Sequence, residues 1–159
     1  MDVVSRPAFE RLAAAPGSYA TLPIAEAFDW AACADGMSAG EWYLVCFRSV
    51  RRPGADEALL QELDDQAHLD ASTAPGFVHY FKGHTTERGE CLSFCLWDSR
   101  KMARSAAGRP AHAQASAIVG EMYASYRLEF YRVLKRMASP DFEFSPYDRP
   151  RLPAASRPH

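Results

Sequence analysis

One apolar run constrains the fold of this chain more than any other feature of the sequence. Residues 41–48 read EWYLVCFR, and charged residues with a Pro53-Gly54 pair follow. Successive side chains of a strand point to opposite faces of the sheet. The two sets are Trp42, Leu44, Cys46 and Arg48 on one face, and Tyr43, Val45 and Phe47 on the other. Because both sets are mainly apolar, the run predicts a central strand that is covered on both faces.

Two helical patterns and three more strand-like runs follow this strand. An apolar stripe at i, i+3 and i+4 spacing predicts a helix from Ala55 to about Ser72. Residues 77–83, 90–97 and 126–136 have strand composition, and Asp98 or Ser99 can cap a second helix after the third strand. Gly108-Arg109-Pro110 interrupts that helix, which resumes from His112 to Met122. The order β-α-β-β-α-β predicts an α+β fold of the ferredoxin-like type.

The segments on either side of this core differ from it in composition. Residues 1–40 are apolar without a regular period, so we predict an N-terminal arm that packs on the core or on a partner subunit. Residues 41–138 form the predicted domain, and the proline-rich residues 139–159 form a predicted extended tail. Two helices cover only one face of a sheet. Two such sheets packed face to face would cover the other, which predicts a homodimer.

Composition excludes several classes of protein. The chain has 159 residues, which suits a single domain, and its net charge of -2 does not indicate a nucleic-acid-binding surface. No apolar run reaches the roughly 18 residues that a membrane helix needs, and the first residues do not form a secretory signal. The four cysteines form no Cys-x-x-Cys pair, which indicates reduced thiols and a cytoplasmic protein.

The core resembles the antibiotic-biosynthesis-monooxygenase-like group of the dimeric α+β barrel superfamily. The resemblance covers residues 41–136 and rests on FRSVRRPGADEALLQEL, on APGFVHY, on the strand that ends in Trp97, and on EMYASYRLEFYRV. It implies a homodimer and a cofactor-independent monooxygenase that acts on a small aromatic or polyketide-type substrate between the sheet and the helices. Residues 1–40 depart from the family pattern, which usually starts near the first strand.

His112 is the candidate catalytic residue. It follows the Gly-Arg-Pro break and lies in the first turn of the resumed helix. A neutral imidazole at that position can take a proton from a substrate or bind a haem iron. The alternative is a half-buried histidine that hydrogen-bonds the preceding loop.

Four further residues are candidates for substrate binding: His79, Trp97, Tyr123 and Tyr126. His79 alternates with Phe77 and Phe81, so it points inward, either to the helices or to the dimer face. The two tyrosines flank the end of the second helix, where a phenol can orient a phenolic or quinone ligand. For all four residues the alternative is a packing role in the core. In that case the polar atom of each buried side chain needs a hydrogen-bond partner.

We predict no bound cofactor and no metal. The sequence has no His-x-x-x-His or Cys-x-x-Cys pair and no glycine-rich phosphate loop between a strand and a helix. The superfamily that this chain resembles has a haem-degrading branch. The resemblance implies that the pocket of that branch contains an asparagine on strand one, a tryptophan on the second helix and a histidine after it. This chain contains no asparagine, and its predicted second helix contains no tryptophan. Two alternatives stay open, namely haem binding through His112 and a non-enzymatic dimeric ligand-binding module.

Overall fold

A five-stranded antiparallel sheet forms the centre of the protein. The computed structural model describes residues 8–17, 19–110 and 121–147. The strands are β1 (Gly40–Arg51), β2 (Phe77–Phe81), β3 (Glu90–Trp97), β4 (Tyr123–Lys135) and β5 (Phe142–Pro146), in the spatial order β2-β3-β1-β4-β5. The first four strands and the helices between them follow the order β-α-β-β-α-β. The predicted ferredoxin-like α+β fold with a central first strand is therefore confirmed.

Two helices connect these strands on one face of the sheet. They are α3 (Glu57–Ser72) and α4 (Arg100–Ala107), and short helices α1 (Ile24–Ala27) and α2 (Trp30–Ala34) precede β1. The Asp56 carboxylate accepts a hydrogen bond from the Leu59 N–H at the start of α3. The Ser99 hydroxyl does the same for Met102 at the start of α4. Such caps satisfy N–H groups that have no partner within the helix.

The two faces of the sheet have separate cores. On the first, which we call the helix face, Tyr43, Phe77 and Trp97 pack against Ala103 and Ala106 of α4. On the second, which we call the arm face, the sheet packs against residues 8–17 and 19–39, which we call the arm. Both apolar faces of β1 are therefore covered, as its composition predicted.

The arm lies on the sheet of its own chain. Its large side chains Phe9, Phe28 and Trp30 are at most 5% exposed. They belong to one core with sheet residues that include Trp42, Leu44, Leu92, Phe94 and Leu96. The homodimer was predicted because this face of the sheet needed a cover. In the structure the arm supplies that cover.

The sequence predicted an extended tail after β4, and the structure shows a strand in part of it. Residues Phe142–Pro146 form β5, which pairs with β4 from Tyr131 to Lys135. Phe142 belongs to the core of the arm face, where its ring stacks on Phe9 at 5.7 Å. Because β5 is an edge strand, proline at its last position removes no ladder hydrogen bond from the sheet interior. The prolines of the tail favoured an unpaired segment, so the sequence did not predict this short strand.

Candidate functional site

A cavity of about 340 Å³ opens at one end of the helix face. Its lining comes from the end of β1, from α3 and from the β2–β3 hairpin, and consists of Arg51, Gln61, Lys82, Gly83, His84 and Thr85. Pockets for small molecules usually measure about 300 to 1,000 Å³. The cavity is therefore large enough for a small organic ligand.

Two local features of the backbone shape this cavity. The pairing of β1 with β4 shifts register between Val50 and Arg51: Ala124 of β4 has no partner in β1, so Tyr123 lies opposite Arg51. At the hairpin, Gly83 lies so close to β3 that an added Cβ atom would stand 1.9 Å from the Leu92 carbonyl oxygen. Only glycine permits this approach of two backbones.

Arg51 carries the most direct indication of a ligand. One of its terminal nitrogens donates a hydrogen bond to the Glu57 carboxylate. Its Nε–H is buried and has no acceptor among the described residues. A buried donor without an acceptor costs about 1 to 3 kcal/mol. Arg51 is also one of the residues that line the cavity.

The other cation of the cavity is already paired. Lys82 Nζ lies 3.6 Å from Asp64 Oδ2 and 3.4 Å from Asp65 Oδ1. With Glu57 beside Arg51, each cation has a carboxylate neighbour. The cavity therefore does not favour a highly charged anion such as a phosphate ester, whereas a single oxygen with partial negative charge suits the Arg51 Nε–H.

Tyr80 adds a neutral phenol to this end of the helix face. Its hydroxyl lies 3.1 Å and 3.2 Å from the two oxygens of Asp64, and its ring lies 4.4 Å from that of His68. Burial and the neighbouring Asp64 carboxylate raise the pKa of Tyr80 far above its usual value. The phenol therefore stays protonated at neutral pH and donates to Asp64.

Tyr123 and Cys91 are likewise held in their protonated forms. Burial raises the pKa of Tyr123, although the nearby Arg51 acts in the opposite direction. Burial also raises the pKa of Cys91, although the Ser93 hydroxyl acts against it. Tyr123 is the β4 residue that pairs with Arg51 in the sheet. This end of the helix face therefore offers hydrogen-bond donors rather than nucleophiles.

Aromatic rings stand next to these polar groups. The ring of Phe47 lies 5.5 Å from that of Tyr123 and 5.9 Å from that of Tyr126, centroid to centroid. Phe47 points to the helix face two strand positions before Ser49 and four before Arg51. These rings lie on the same face of the sheet as Arg51, but they are not among the residues that line the cavity.

The structure brings together two of the five residues predicted from the sequence, Tyr123 and Tyr126. Trp97 shares their face, but it lies six residues along β3 from Cys91, or about 20 Å at the usual rise of a strand. There its Nε1 donates to Cys95 Sγ at 3.1 Å. His112 lies outside the described residues.

His79 lies on the opposite face of the sheet from the two tyrosines. It pairs with Leu96 of the arm-face core, and its ring lies 6.0 Å from that of Phe94. Burial lowers its pKa, so the imidazole is neutral at neutral pH. Of the two directions that the sequence left open for His79, the structure shows the one away from the helices.

Arg51, Tyr80 and Asp64 were not predicted as site residues. One signal for Arg51 was present in the sequence: it continues the inward series Tyr43, Val45, Phe47 and Ser49, where a guanidinium is unusual. Asp64 and Tyr80 gave no such signal, because a helix carboxylate and a strand tyrosine are ordinary surface and core residues.

The described part of the chain contains neither a cluster of metal ligands nor a helix that could cross a membrane. Within residues 8–17, 19–110 and 121–147, no group of three or more His, Cys, Asp or Glu side chains is placed to hold a metal ion. None of the helices in those ranges is both long and apolar enough to cross a membrane.

Solved structures with similar folds include proteins of the antibiotic-biosynthesis-monooxygenase-like group. Rv0793 from Mycobacterium tuberculosis has a TM-score of 0.51 and 24% identity, over 56% of this chain and 91% of its own. A candidate antibiotic biosynthesis monooxygenase from Nitrosomonas europaea has a TM-score of 0.51 and 12% identity, over 56% of this chain and 95% of its own. These similarities show that the chain has the fold of this group.

Similarity in sequence extends over more of the chain than similarity in structure. UPF0643 protein PB2B2.08 from Schizosaccharomyces pombe is 29% identical over 132 residues, which are 72% of this chain. This chain spans 60% of the length of that relative. A family model described as PB2B2.08-like matches residues 2–146, which include the arm and β5. The chain therefore belongs to the PB2B2.08-like family.

Proposed function

We propose that this protein binds a small aromatic or polyketide-type molecule at the Arg51 cavity and oxidises it with molecular oxygen, without a cofactor. The observation that carries the proposal is that Arg51 lines a cavity and has a buried Nε–H without an acceptor among the described residues. The ligand would carry an acidic hydroxyl or enol, whose oxygen accepts this hydrogen bond.

The chemistry needs little from the protein beyond positioning and charge. The anion of the substrate gives an electron to O2, a carbon–oxygen bond forms, and loss of water leaves a carbonyl group. For an anthrone-type methylene, the CH2 group and O2 yield the quinone C=O and one H2O, so no external reductant is consumed. Arg51 would stabilise the negative charge on the substrate oxygen. An aromatic substrate that extends from the cavity along β1 would meet the rings of Phe47 and Tyr126.

We propose that His112, the catalytic candidate from the sequence, is the base for this reaction. Tyr123 and Cys91 near Arg51 do not suit that role, because burial keeps both of them protonated. The similarity to a candidate monooxygenase of the same fold supports the reaction class. Its low identity supports no choice of substrate.

Oxygen uptake with an anthrone substrate tests the proposal. We expect consumption of one O2 per substrate molecule and a loss of about 100-fold in rate for Arg51→Met, the usual effect of removing an oxyanion donor. Arg88→Met, an exposed hairpin residue outside the cavity lining, is the matched control and should keep the wild-type rate. Full activity of Arg51→Met, or no uptake with anthrones and quinols, would contradict the proposal.

A second candidate is a ligand-binding protein without turnover. Its support is that Tyr80, Tyr123 and Cys91 at this end of the helix face stay protonated and so supply neither a base nor a nucleophile. In that case a hydroxyanthraquinone would quench the fluorescence of the wild type, and Arg51→Met would weaken its binding without any oxygen uptake by either protein. Haem binding through His112 is a third candidate, which a Soret band lost in His112→Ala would support.

We also propose that the protein works in the cytoplasm. All four cysteines are free thiols, and unpaired cysteines are usual in reducing compartments. Cell fractionation of a tagged full-length protein tests this location, and recovery in an oxidising compartment would contradict it.

A further inference from the structure

We infer that the arm occupies the place that a second subunit takes in dimeric α+β barrels, so that this protein works as a single chain. The inference rests on the arm face of the sheet and does not depend on the Arg51 cavity, which lies on the helix face. It replaces the predicted homodimer by an intramolecular cover.

The cover is nearly complete over the centre of the sheet. The side chains that a second sheet would have to contact are 0% to 5% exposed in a single chain. They are Trp42, Leu44, Cys46, Leu92, Phe94, Leu96 and Val133. A second sheet packs face to face about 10 Å away, and residues of the arm already fill that layer.

Aromatic rings join the arm to the sheet at several points. The ring of Phe28 lies 4.7 Å from that of Phe81 and 5.1 Å from that of Phe94. The ring of Trp30 lies 5.8 Å from that of Phe94. These distances fall in the range in which aromatic pairs attract one another. The contacts are therefore those of a packed core rather than of a loosely held segment.

Polar groups on this face also have their partners in the arm. Arg48 Nη1 donates to the Ala20 carbonyl oxygen at 2.9 Å. Within the arm, the Trp30 indole donates to the Ile24 carbonyl at 2.8 Å. The His84 N–H donates to the Tyr19 hydroxyl at 2.9 Å. A second sheet placed on this face would have to replace the Ala20 acceptor, because a buried guanidinium needs one.

The arm and β5 are features of the family rather than of this chain alone. The family model spans residues 2–146, whereas Rv0793 and the Nitrosomonas europaea protein each match only 56% of the chain. Phe142 and Phe144 of β5 extend the same core, and the Phe144 ring lies 4.9 Å from that of Trp30. The additional segments at the two ends of the core thus form one cover together.

Two measurements on the full wild-type chain test the inference. Sedimentation velocity should give the mass of one chain, 17.7 kDa, from low to high protein concentration, and a dimer mass would overturn the inference. Half-filtered NOE spectra of an equimolar mixture of labelled and unlabelled chains should show the Phe28–Phe94 contact only within one chain. A contact between chains would show an exchanged arm and would also overturn the inference.

A pair of variants tests whether the covered surface can bind a second copy. Phe28→Asp should release the arm, increase hydrogen exchange of arm amides and produce self-association. Leu69→Asp, at a residue that is 69% exposed on α3, should stay monomeric. An arm released by Phe28→Asp without self-association would contradict the replacement of a subunit. If Phe28→Asp does not fold, the two wild-type measurements decide.

Discussion

Arg48 Nε lies 3.0 Å from Glu129 Oε2, and the two side chains form a largely buried ion pair across β1 and β4 on the arm face. The same guanidinium donates to the Ala20 carbonyl of the arm. Arg127 and Tyr131 also donate to the Glu129 carboxylate. The ionisation of one carboxylate is therefore coupled to the attachment of the arm.

Acid should weaken this attachment through Glu129. Burial alone would raise its pKa, but Arg48, Tyr131 and Arg127 together bring the pKa below its ordinary value. A carboxyl group with a lowered pKa in the folded state stabilises the protein above its unfolded pKa, and this stability disappears as the pH falls through the folded pKa. We expect Glu129→Gln to lose less stability than the wild type on acidification in urea titrations.

At neutral pH, Glu129→Gln should lower the free energy of unfolding by about 1.5 to 3 kcal/mol, because it removes hydrogen bonds to charged groups. Glu143→Gln is the control, since Glu143 forms an exposed pair with Arg136, and such pairs contribute about 0 to 1 kcal/mol. Equal acid sensitivity of Glu129→Gln and the wild type would disprove this assignment.

Trp30→Ala should be among the most destabilising substitutions in the arm. The indole is 3% exposed and lies within 6 Å, centroid to centroid, of the rings of Phe28, Phe94 and Phe144. Its removal should lower the free energy of unfolding by about 3 to 5 kcal/mol. Chemical denaturation followed by circular dichroism measures this, with Leu69→Ala as an exposed control expected within about 0.5 kcal/mol of wild type.

Gly83→Ala should destabilise the hairpin at the edge of the cavity. The new Cβ atom would meet the Leu92 carbonyl oxygen, a backbone atom that cannot turn aside as a side chain can. We expect a loss of about 1 to 3 kcal/mol in the free energy of unfolding. Gly108→Ala is the control, because its Cβ would find only the Ser105 carbonyl at 3.6 Å. Similar melting temperatures for the two variants would contradict this prediction, because they would show that the hairpin backbone can move away from Leu92 without a cost in stability.

The buried thiols should react slowly with iodoacetamide at neutral pH. Burial raises the pKa of Cys46 to about 12 and that of Cys33 to about 11, so the reactive thiolate is scarce. Mass spectrometry after timed labelling should find Cys46 and Cys33 unmodified in the folded protein and modified in urea. Rapid labelling of Cys33 in the folded state would mean that the arm opens often.

Long periodic segments could be predicted from the sequence, and the short elements of the arm could not. The alternation in residues 41–48 and the stripe of α3 extend over several turns or strand positions, so each reveals a buried face. The helices of the arm, α1 and α2, have four and five residues. A pattern that changes direction after one turn shows no period, although its large side chains are buried.

Two irregularities of the sheet explain why the candidate site was predicted only in part. The pairing of β2 with β3 shifts between Phe77 and His79, and a shift by one residue moves a side chain to the other face. His79 therefore lies on the face of the sheet opposite Tyr123 and Tyr126. A similar shift in β4 places Tyr123 instead of Ala124 opposite Arg51. Neither bulge has a glycine or proline that would indicate it in the sequence.

The packing of the arm on its own sheet has a thermodynamic consequence. Bringing the two together is a loop closure, whose entropic cost depends on the length of the connecting chain. For two subunits the corresponding cost depends on how many molecules share the volume. Dilution therefore leaves the contacts of the arm intact, and this chain keeps its sheet covered even where few copies are present in a cell.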